Sequence, residues 1–470
     1  MDLSGLPPGF VWGAATSAYQ IEGAADERGQ SIWDTYCREP GRIKDRSDAT
    51  VACDHVHRYV EDVALLRTLG VDAYRFSIAW PRVQPTGQGA LDAKGLAFYD
   101  RLLDELLAAG IEPWATLYHW DLPQALQNLG GWPVREVADR FADYAVAVHA
   151  ALGDRVRSWM TLNEPWCSAW LGYGSGEHAP GAADVGLAAR AAHHLLLGHG
   201  QALAGMRAQA PADHSLGIVV NPGAYRAADS LPPNEVEEVQ PAVTELDGLH
   251  TRWWLDALLL GTYPADTYAA LAPHLQGIVQ DGDLDVICQP LDFLGVNYYS
   301  DVLLQPRSRG GAVPVPALTE AAGVRVVSGG PESTTMGWPV TPDGLRVLLG
   351  RISRDYPPIP VVITENGSAW HDSRAALQVR EPALPGPIPD PARVAYLRAH
   401  LAALAAAARQ GVDVRGYFAW SLLDNFEWSH GYTQRFGLVR VDFDTGDRRP
   451  RSSFEAFRAL IAAQRAGSSS

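Results

Sequence analysis

Eight short apolar runs recur along the chain, and longer segments with apolar residues at helical spacing lie between them. The runs are 10–20 (FVWGAATSAYQ), 73–80 (AYRFSIAW), 112–119 (EPWATLYH), 157–163 (RSWMTLN), 215–221 (SLGIVVN), 292–299 (DFLGVNYY), 360–365 (PVVITE) and 414–421 (VRGYFAWS). Most are apolar on both faces rather than alternating, the pattern of parallel strands covered by helices. The helical segments are 54–70, 95–110, 134–153, 186–209, 236–260, 344–356 and 391–411, and several stop at glycine. No Gly/Ser linker interrupts this alternation, which predicts an α/β fold: a single (β/α)8 TIM barrel over 1–470, with its active site at the C-terminal ends of the strands. Loop insertions are expected at about 300–343 and 370–390, and a frayed tail over 465–470.

The charge balance narrows the partners. Lys+Arg 38 against Asp+Glu 54 gives a net charge of −16, which disfavours nucleic acid and anionic membrane. No run of about 18 apolar residues could span a bilayer. No basic stretch followed by an apolar one opens the chain, so a cytoplasmic location is expected. Cys37, Cys53, Cys167 and Cys288 lie far apart without a CxxC pair, and the expectation is reduced, structural thiols.

A barrel places its chemistry where the strands end. Those ends carry Gln20 and Glu22, Arg75, His119-Trp120-Asp121, Asn163-Glu164, Asn221, Asn297 and Tyr299, Glu365-Asn366-Gly367, and Trp420 followed by Asp424, Glu427 and Trp428. No nucleophilic Ser or Cys with a His partner stands out, nor any phosphate-cradling glycine loop. Carboxylate, carboxamide and indole recur instead, a mixture suited to a neutral polyhydroxylated ligand.

Within TLNEPW (161–166), Glu164 is costly to bury unless it is paired or has a task. Glu365 holds the equivalent place in VVITENG (361–367), on the opposite side of the predicted barrel. Glycoside hydrolysis needs such a pair, one neutral acid and one ionised carboxylate. Arg75, if it reaches Glu365, would hold it ionised, and Tyr299 could donate to it. Glu164, without a cation nearby, would keep its proton. A structural ion pair is the rival reading of each carboxylate.

A metal-dependent hydrolase is the competing chemistry, built on Asp54-His55-Val56-His57 or on His119. Neither has further ligands at suitable spacing, so no metal is expected. Asp54 is expected instead as a helix N-cap and His57 as a satisfied buried histidine. Glu427, set among Trp420, Trp428 and Phe436, is harder to explain as core.

Together these segments resemble glycoside hydrolase family 1, the β-glucosidase family. The resemblance runs from FVWGAATSAYQIEG (10–23) through YRFSIAWPR, TLYHWDLPQAL, TLNEPW, FLGVNYY, VVITENG and AWSLLDNFEW to FEWSHGYTQRFGLVRVDF (426–443). It implies a retaining β-glycosidase acting on terminal non-reducing β-D-glucosyl residues, with galactosyl or fucosyl residues as further candidates, and no metal or organic cofactor. Glu164 would be the acid/base and Glu365 the nucleophile. Gln20, His119, Trp120, Asn163, Trp420, Glu427 and Trp428 would line the sugar subsite, and Asn297, Tyr299 and Arg75 would support the two carboxylates. Trp338, in MGWPV, matches the family's aglycone-side platform. Glu427-Trp428 argues against a phosphorylated sugar. The expected substrate is thus a β-glucoside or cello-oligosaccharide, with a transglycosylase and a silent sugar-binding module as alternatives. The segments 42–51 and 300–335 depart from the family's usual form, which leaves leaving-group preference open.

Overall fold

The eight apolar runs close on themselves in the computed structural model, which describes residues 3–329, 332–372 and 386–468. The strands are β1 (Val11–Ala15), β2 (Ala73–Ser77), β3 (Glu112–Tyr118), β4 (Ser158–Asn163), β5 (Ser215–Val220), β6 (Phe293–Asn297), β7 (Val361–Asn366) and β8 (Val414–Trp420). Each pairs in parallel with its sequence neighbours, and β8 closes on β1 from Val11↔Gly416 to Ala15↔Trp420. Helices cover the outside, so β2, β4, β6 and β7 are buried along their whole length. That double burial explains why the runs read as continuous apolar segments.

The barrel interior is a packed core rather than a pore. Trp114 lies 5.4 Å from Phe293 and 5.0 Å from Phe418 between ring centroids, with Ala73, Met160, Val219 and Val362 around them. Gly13 makes room for this filling, since a Cβ there would fall 2.2 Å from a Phe418 ring carbon. Beyond this filling lie the polar strand ends, where Asn163, Asn297 and Glu365 are themselves buried.

Several expectations need correcting. The first run is strand only over Val11–Ala15, and its end turns into a short helix, Ala18–Ile21, that carries Gln20. The helix expected over 236–260 is three pieces, Pro233–Asp247, a π-helical turn Gly248–Arg252 and Trp253–Leu260. Gly248 packs so tightly that a Cβ would lie 2.2 Å from Thr267 Oγ1. The insertion at 300–343 is partly ordered into a sheet, in which Val302–Pro306 pairs with Tyr225–Ala227 and Val324–Val326. This sheet has its own apolar cluster, including Leu231, Val239, Leu246 and Leu304, apart from the barrel core. Of the segment 370–390, residues 373–385 lie outside the described residues. Of the tail expected to fray, 465–468 continue the last helix, Ser452–Ser468, and 469–470 lie outside the described residues.

The readings of Asp54 and His57 also change. Asp54 precedes the helix His55–Leu69 in a left-handed conformation and makes no side-chain cap. Its carboxylate meets the Nδ1 of His57, which is exposed rather than buried. His55 is the buried histidine, with Nδ1 at 2.8 Å from Asp62. Among the described residues no group of three or more His, Cys, Asp or Glu is placed to hold a metal ion. None of their helices is long and apolar enough to cross a membrane.

Candidate active site

Glu365, near the end of β7, is buried beside a cation. Arg75, from β2 across the barrel, donates Nη1 to Glu365 Oε1 at 2.6 Å, and the Tyr299 hydroxyl donates to Oε2 at 2.6 Å. Arg75 also spends Nη2 on Asn163 Oδ1 at 2.6 Å, which ties β2, β4 and β7 together at one level. Gly367 allows the chain to turn closely after β7, because a Cβ there would sit 1.7 Å from the Trp420 carbonyl oxygen.

Glu164 follows β4 with φ +44°, an uncommon conformation for a glutamate. Its amide donates to the Val219 carbonyl at 2.9 Å, which fixes the turn. Among the described residues its carboxyl meets no cation directly. Asn297 Nδ2 donates to Oε1 at 2.7 Å, and the Cys167 thiol donates to Oε2 at 3.1 Å. The Thr364 hydroxyl donates to Asn297 Oδ1 at 2.7 Å, so the orientation of that amide is set from behind.

These unequal partners have an electrostatic consequence. Burial, reinforced by the nearby Glu365 carboxylate, pushes Glu164 up to about 7. Burial keeps Glu365 above its ordinary value too, though the Arg75 cation and the Tyr299 hydroxyl pull it back part of the way. Of the two, Glu365 is therefore the carboxylate held ionised, and Glu164 the one poised to carry a proton near neutrality.

One wall of the cleft is polar. Gln20 is wholly buried behind that wall, held by Ser17, whose hydroxyl donates to Oε1 at 2.6 Å, while its Nε2 donates to Asn425, to the Phe426 carbonyl and to Glu427 Oε2 at 3.3 Å. Glu427 is pushed up to about 8 by burial and then by Glu365. Burial, then Arg75, drives His119 well below the ordinary imidazole range, so its ring is neutral. Asn163 Oδ1 is occupied by Arg75, so its Nδ2 is the donor to His119 Nε2 at 3.1 Å, and the ring proton then sits on Nδ1. Among the described residues that Nδ1 has no hydrogen-bond partner.

Aromatic rings frame the rest. Trp428 packs against Trp33 and Trp120 with centroids 4.7 and 4.5 Å away, and His119 stacks between Trp420 and Trp428 at 5.9 Å from each. Trp120 is anchored by Nε1 donating to the Asn163 carbonyl at 2.8 Å. Outward, Trp338 lies 5.4 Å from Tyr299 and 6.2 Å from Phe436. The cleft so lined has a volume of about 440 Å³ and continues between Trp166, His178, Tyr225, His250 and the segment around Val313.

The family model "Glycosyl hydrolase family 1" matches residues 3–466. The chain belongs to this family. Among family 1 relatives, it is 47% identical over 465 residues to a thermostable β-glucosidase B of Thermobispora bispora, covering 98% of this chain and 91% of that one. It is 45% identical over 469 residues to a bifunctional β-D-glucosidase/β-D-fucosidase of Bifidobacterium breve, covering 97% and 98%. The crystal structure of a psychrophilic β-glucosidase from Micrococcus antarcticus superposes with a TM-score of 0.89 at 43% identity, covering 98% and 99%.

The family 1 cleft does not take every strand-end group named from sequence. Glu22 turns away to accept from Arg82 Nε at 2.8 Å and Tyr99 at 2.5 Å. Asp121 faces a small internal cavity with Glu22, Arg28 and Ser31. Asn366 braces the scaffold, donating to the Tyr298 carbonyl at 2.6 Å. Three cleft groups were not singled out as site residues from sequence: Cys167 on Glu164, Asn221 behind it, and Trp166, whose ring stacks on His250 at 3.7 Å. The position of Cys167 three residues after Glu164 was the available signal.

Proposed function

We propose that this family 1 protein is a retaining β-glucosidase that removes the terminal non-reducing β-D-glucosyl residue from β-glucosides or cello-oligosaccharides. The β-fucosidase activity in the name of the Bifidobacterium breve relative supports β-fucosides as a second glycone class. The observation that carries the mechanism is the inequality of two buried carboxylates: Glu365 has Arg75 at 2.6 Å, and Glu164 has only an amide and a thiol.

In the first step Glu365 attacks the anomeric carbon, the glycosidic bond breaks, and Glu164 passes its proton to the departing oxygen. In the second, Glu164, now ionised, takes a proton from water. The water oxygen bonds to the anomeric carbon as the ester bond to Glu365 breaks. Two inversions leave the sugar β. Gln20, His119, Asn163, Glu427, Trp120, Trp420 and Trp428 bind the glycone, and Asn163 hydrogen-bonds its 2-hydroxyl. Asn297 and Tyr299 orient the two carboxylates, and Trp338 and Phe436 cover the leaving group. Glu427 offers a carboxyl where a phosphorylated sugar would need cations, which favours an unmodified glycone. Both steps need only carboxylates and water.

Glu365→Gly tests the assignment. Hydrolysis of an aryl β-glucoside should fall by about 10⁶-fold, the scale of removing a covalent nucleophile. Azide should then restore turnover of a dinitrophenyl glucoside and give the α-glucosyl azide. Near-native hydrolysis by this variant, or an α-configured first product from the parent protein, overturns the reading.

A further inference from the structure

Glu164 is asked to be an acid in one step and a base in the next, so its hydrogen-bond partners must suit both states. Asn297 serves both alike, because its Nδ2 donates to Oε1 whether that oxygen belongs to the carboxylate or is the carbonyl oxygen of the neutral acid. Cys167 differs. Its sulfur is both a weak donor and a weak acceptor, it lies one turn beyond Glu164, and its amide donates to the Glu164 carbonyl at 2.9 Å. The side chain is 5% exposed, so the S–H···Oε2 contact at 3.1 Å is screened from water. Asn221, beyond the end of β5, donates Nδ2 to the sulfur at 3.4 Å and leaves the thiol hydrogen aimed at the carboxylate.

Building on the acid/base reading of Glu164, we propose that Cys167 is a positioning residue for proton transfer: its thiol, steered by Asn221, fixes the Glu164 rotamer and favours the carboxylate that the second step needs. The thiol stays protonated, because burial and then the Glu164 charge push it well above its ordinary range. The other charged or titratable groups around Glu164 are Glu365, Arg75, Tyr299 and Glu427, and Tyr225 faces the thiol. These groups are common to parent and variants, so substitution at 167 isolates one donor.

The test compares Cys167→Val, which keeps bulk and removes the donor, with Cys167→Ser, which supplies a stronger one. The basic limb of kcat/KM for a phenyl β-glucoside reports the free acid. It should move up by about half a pH unit in Cys167→Val, a roughly threefold change in proton affinity, and stay or move down in Cys167→Ser. With a dinitrophenyl glucoside, whose leaving group needs no proton, kcat should fall about threefold in Cys167→Val while kcat/KM holds, because only the base step loses support. Coincident basic limbs in parent and both variants, with all rates reduced alike, overturn the proposal and leave Cys167 as packing. Failure of the acid/base reading itself looks different, since the basic limb would then survive Glu164→Gln.

Discussion

Asp424 and Glu427 lie three residues apart after β8, and their surroundings are opposite. Asp424 is enclosed by cations: Arg451 donates to its two oxygens at 2.9 and 2.8 Å, Arg435 adds a contact at 3.2 Å and the Gly437 amide one at 3.0 Å. Burial opposes ionisation there, but Arg451 and then Arg435 more than overcome it and hold the carboxyl below its ordinary value. Asp62 is treated likewise by His55 and Arg448. In the cleft, Glu365 helps to raise Glu164, both help to raise Glu427, and among the described residues the one arginine that directly contacts any of the three is Arg75, on Glu365. Carboxylates ringed by arginine brace the scaffold, whereas the cleft carboxylates are short of arginine, a shortage shared by Asp121, which burial pushes up to about 8 in its internal cavity.

The sharpest way to break this contrast is Glu164→Gln. Activity on an unactivated glucoside should fall by about 10²–10⁴-fold, and the basic limb of kcat/KM near pH 7 should vanish. The same variant should be more stable than the parent in alkali. The folded-state value of Glu164 lies above its unfolded one, so its contribution is complete below the unfolded value and is lost as pH rises through about 7. Urea unfolding at pH 8 should therefore show a gain on the order of 1 kcal/mol or more. A loss of stability there would place Glu164 with the scaffold carboxylates.

Asp424→Asn should do the reverse. It leaves Arg451 buried with half its charge partners and should cost about 3 kcal/mol in unfolding free energy, with the pH–rate profile of the surviving folded protein unchanged. A displaced basic limb would show that the two carboxylate groups are not separate in function. The smallest effect belongs to Trp338→Ala, which removes one aromatic face from the outer cleft. The KM for aryl glucosides should rise about three- to tenfold, in line with a lost stacking contact, with kcat unmoved. An equal fall in kcat would bring Trp338 into the reacting part of the cleft.

Much of this was legible before folding. Seven of the eight barrel strands fall within the apolar runs and β7 passes the end of its run by one residue, Asn366, because parallel strands buried on both faces leave a continuous apolar imprint. The pairing of Glu164 with Glu365 followed from their equivalent strand-end positions. Other features had no local imprint. An apolar run does not tell where β1 ends and the turn carrying Gln20 begins. The π-helical turn at Gly248–Arg252 preserves the helical pattern on either side and hides the break. Asp54 looked like a cap because capping depends on φ and side-chain direction, which composition does not carry. Glu22, Asp121 and Asp424 share strand-end positions with the cleft residues, and only packing shows that they turn toward Arg82, an internal cavity and Arg451. Asn221 meets Cys167 across 54 residues of chain, a separation at which no spacing rule operates.

The small sheet of Tyr225–Ala227, Val302–Pro306 and Val324–Val326 sits over the outer cleft on an apolar cluster of its own. Its hold on the rest of the molecule is thus largely independent of the Trp114–Phe293–Phe418 plug. Under the proposed function, mutations in this sheet reshape the part of the cleft that meets the leaving group and spare the barrel that aligns Glu164 and Glu365. Bond breaking and choice of leaving group would then reside in separately mutable parts of one chain, free to diverge at different rates.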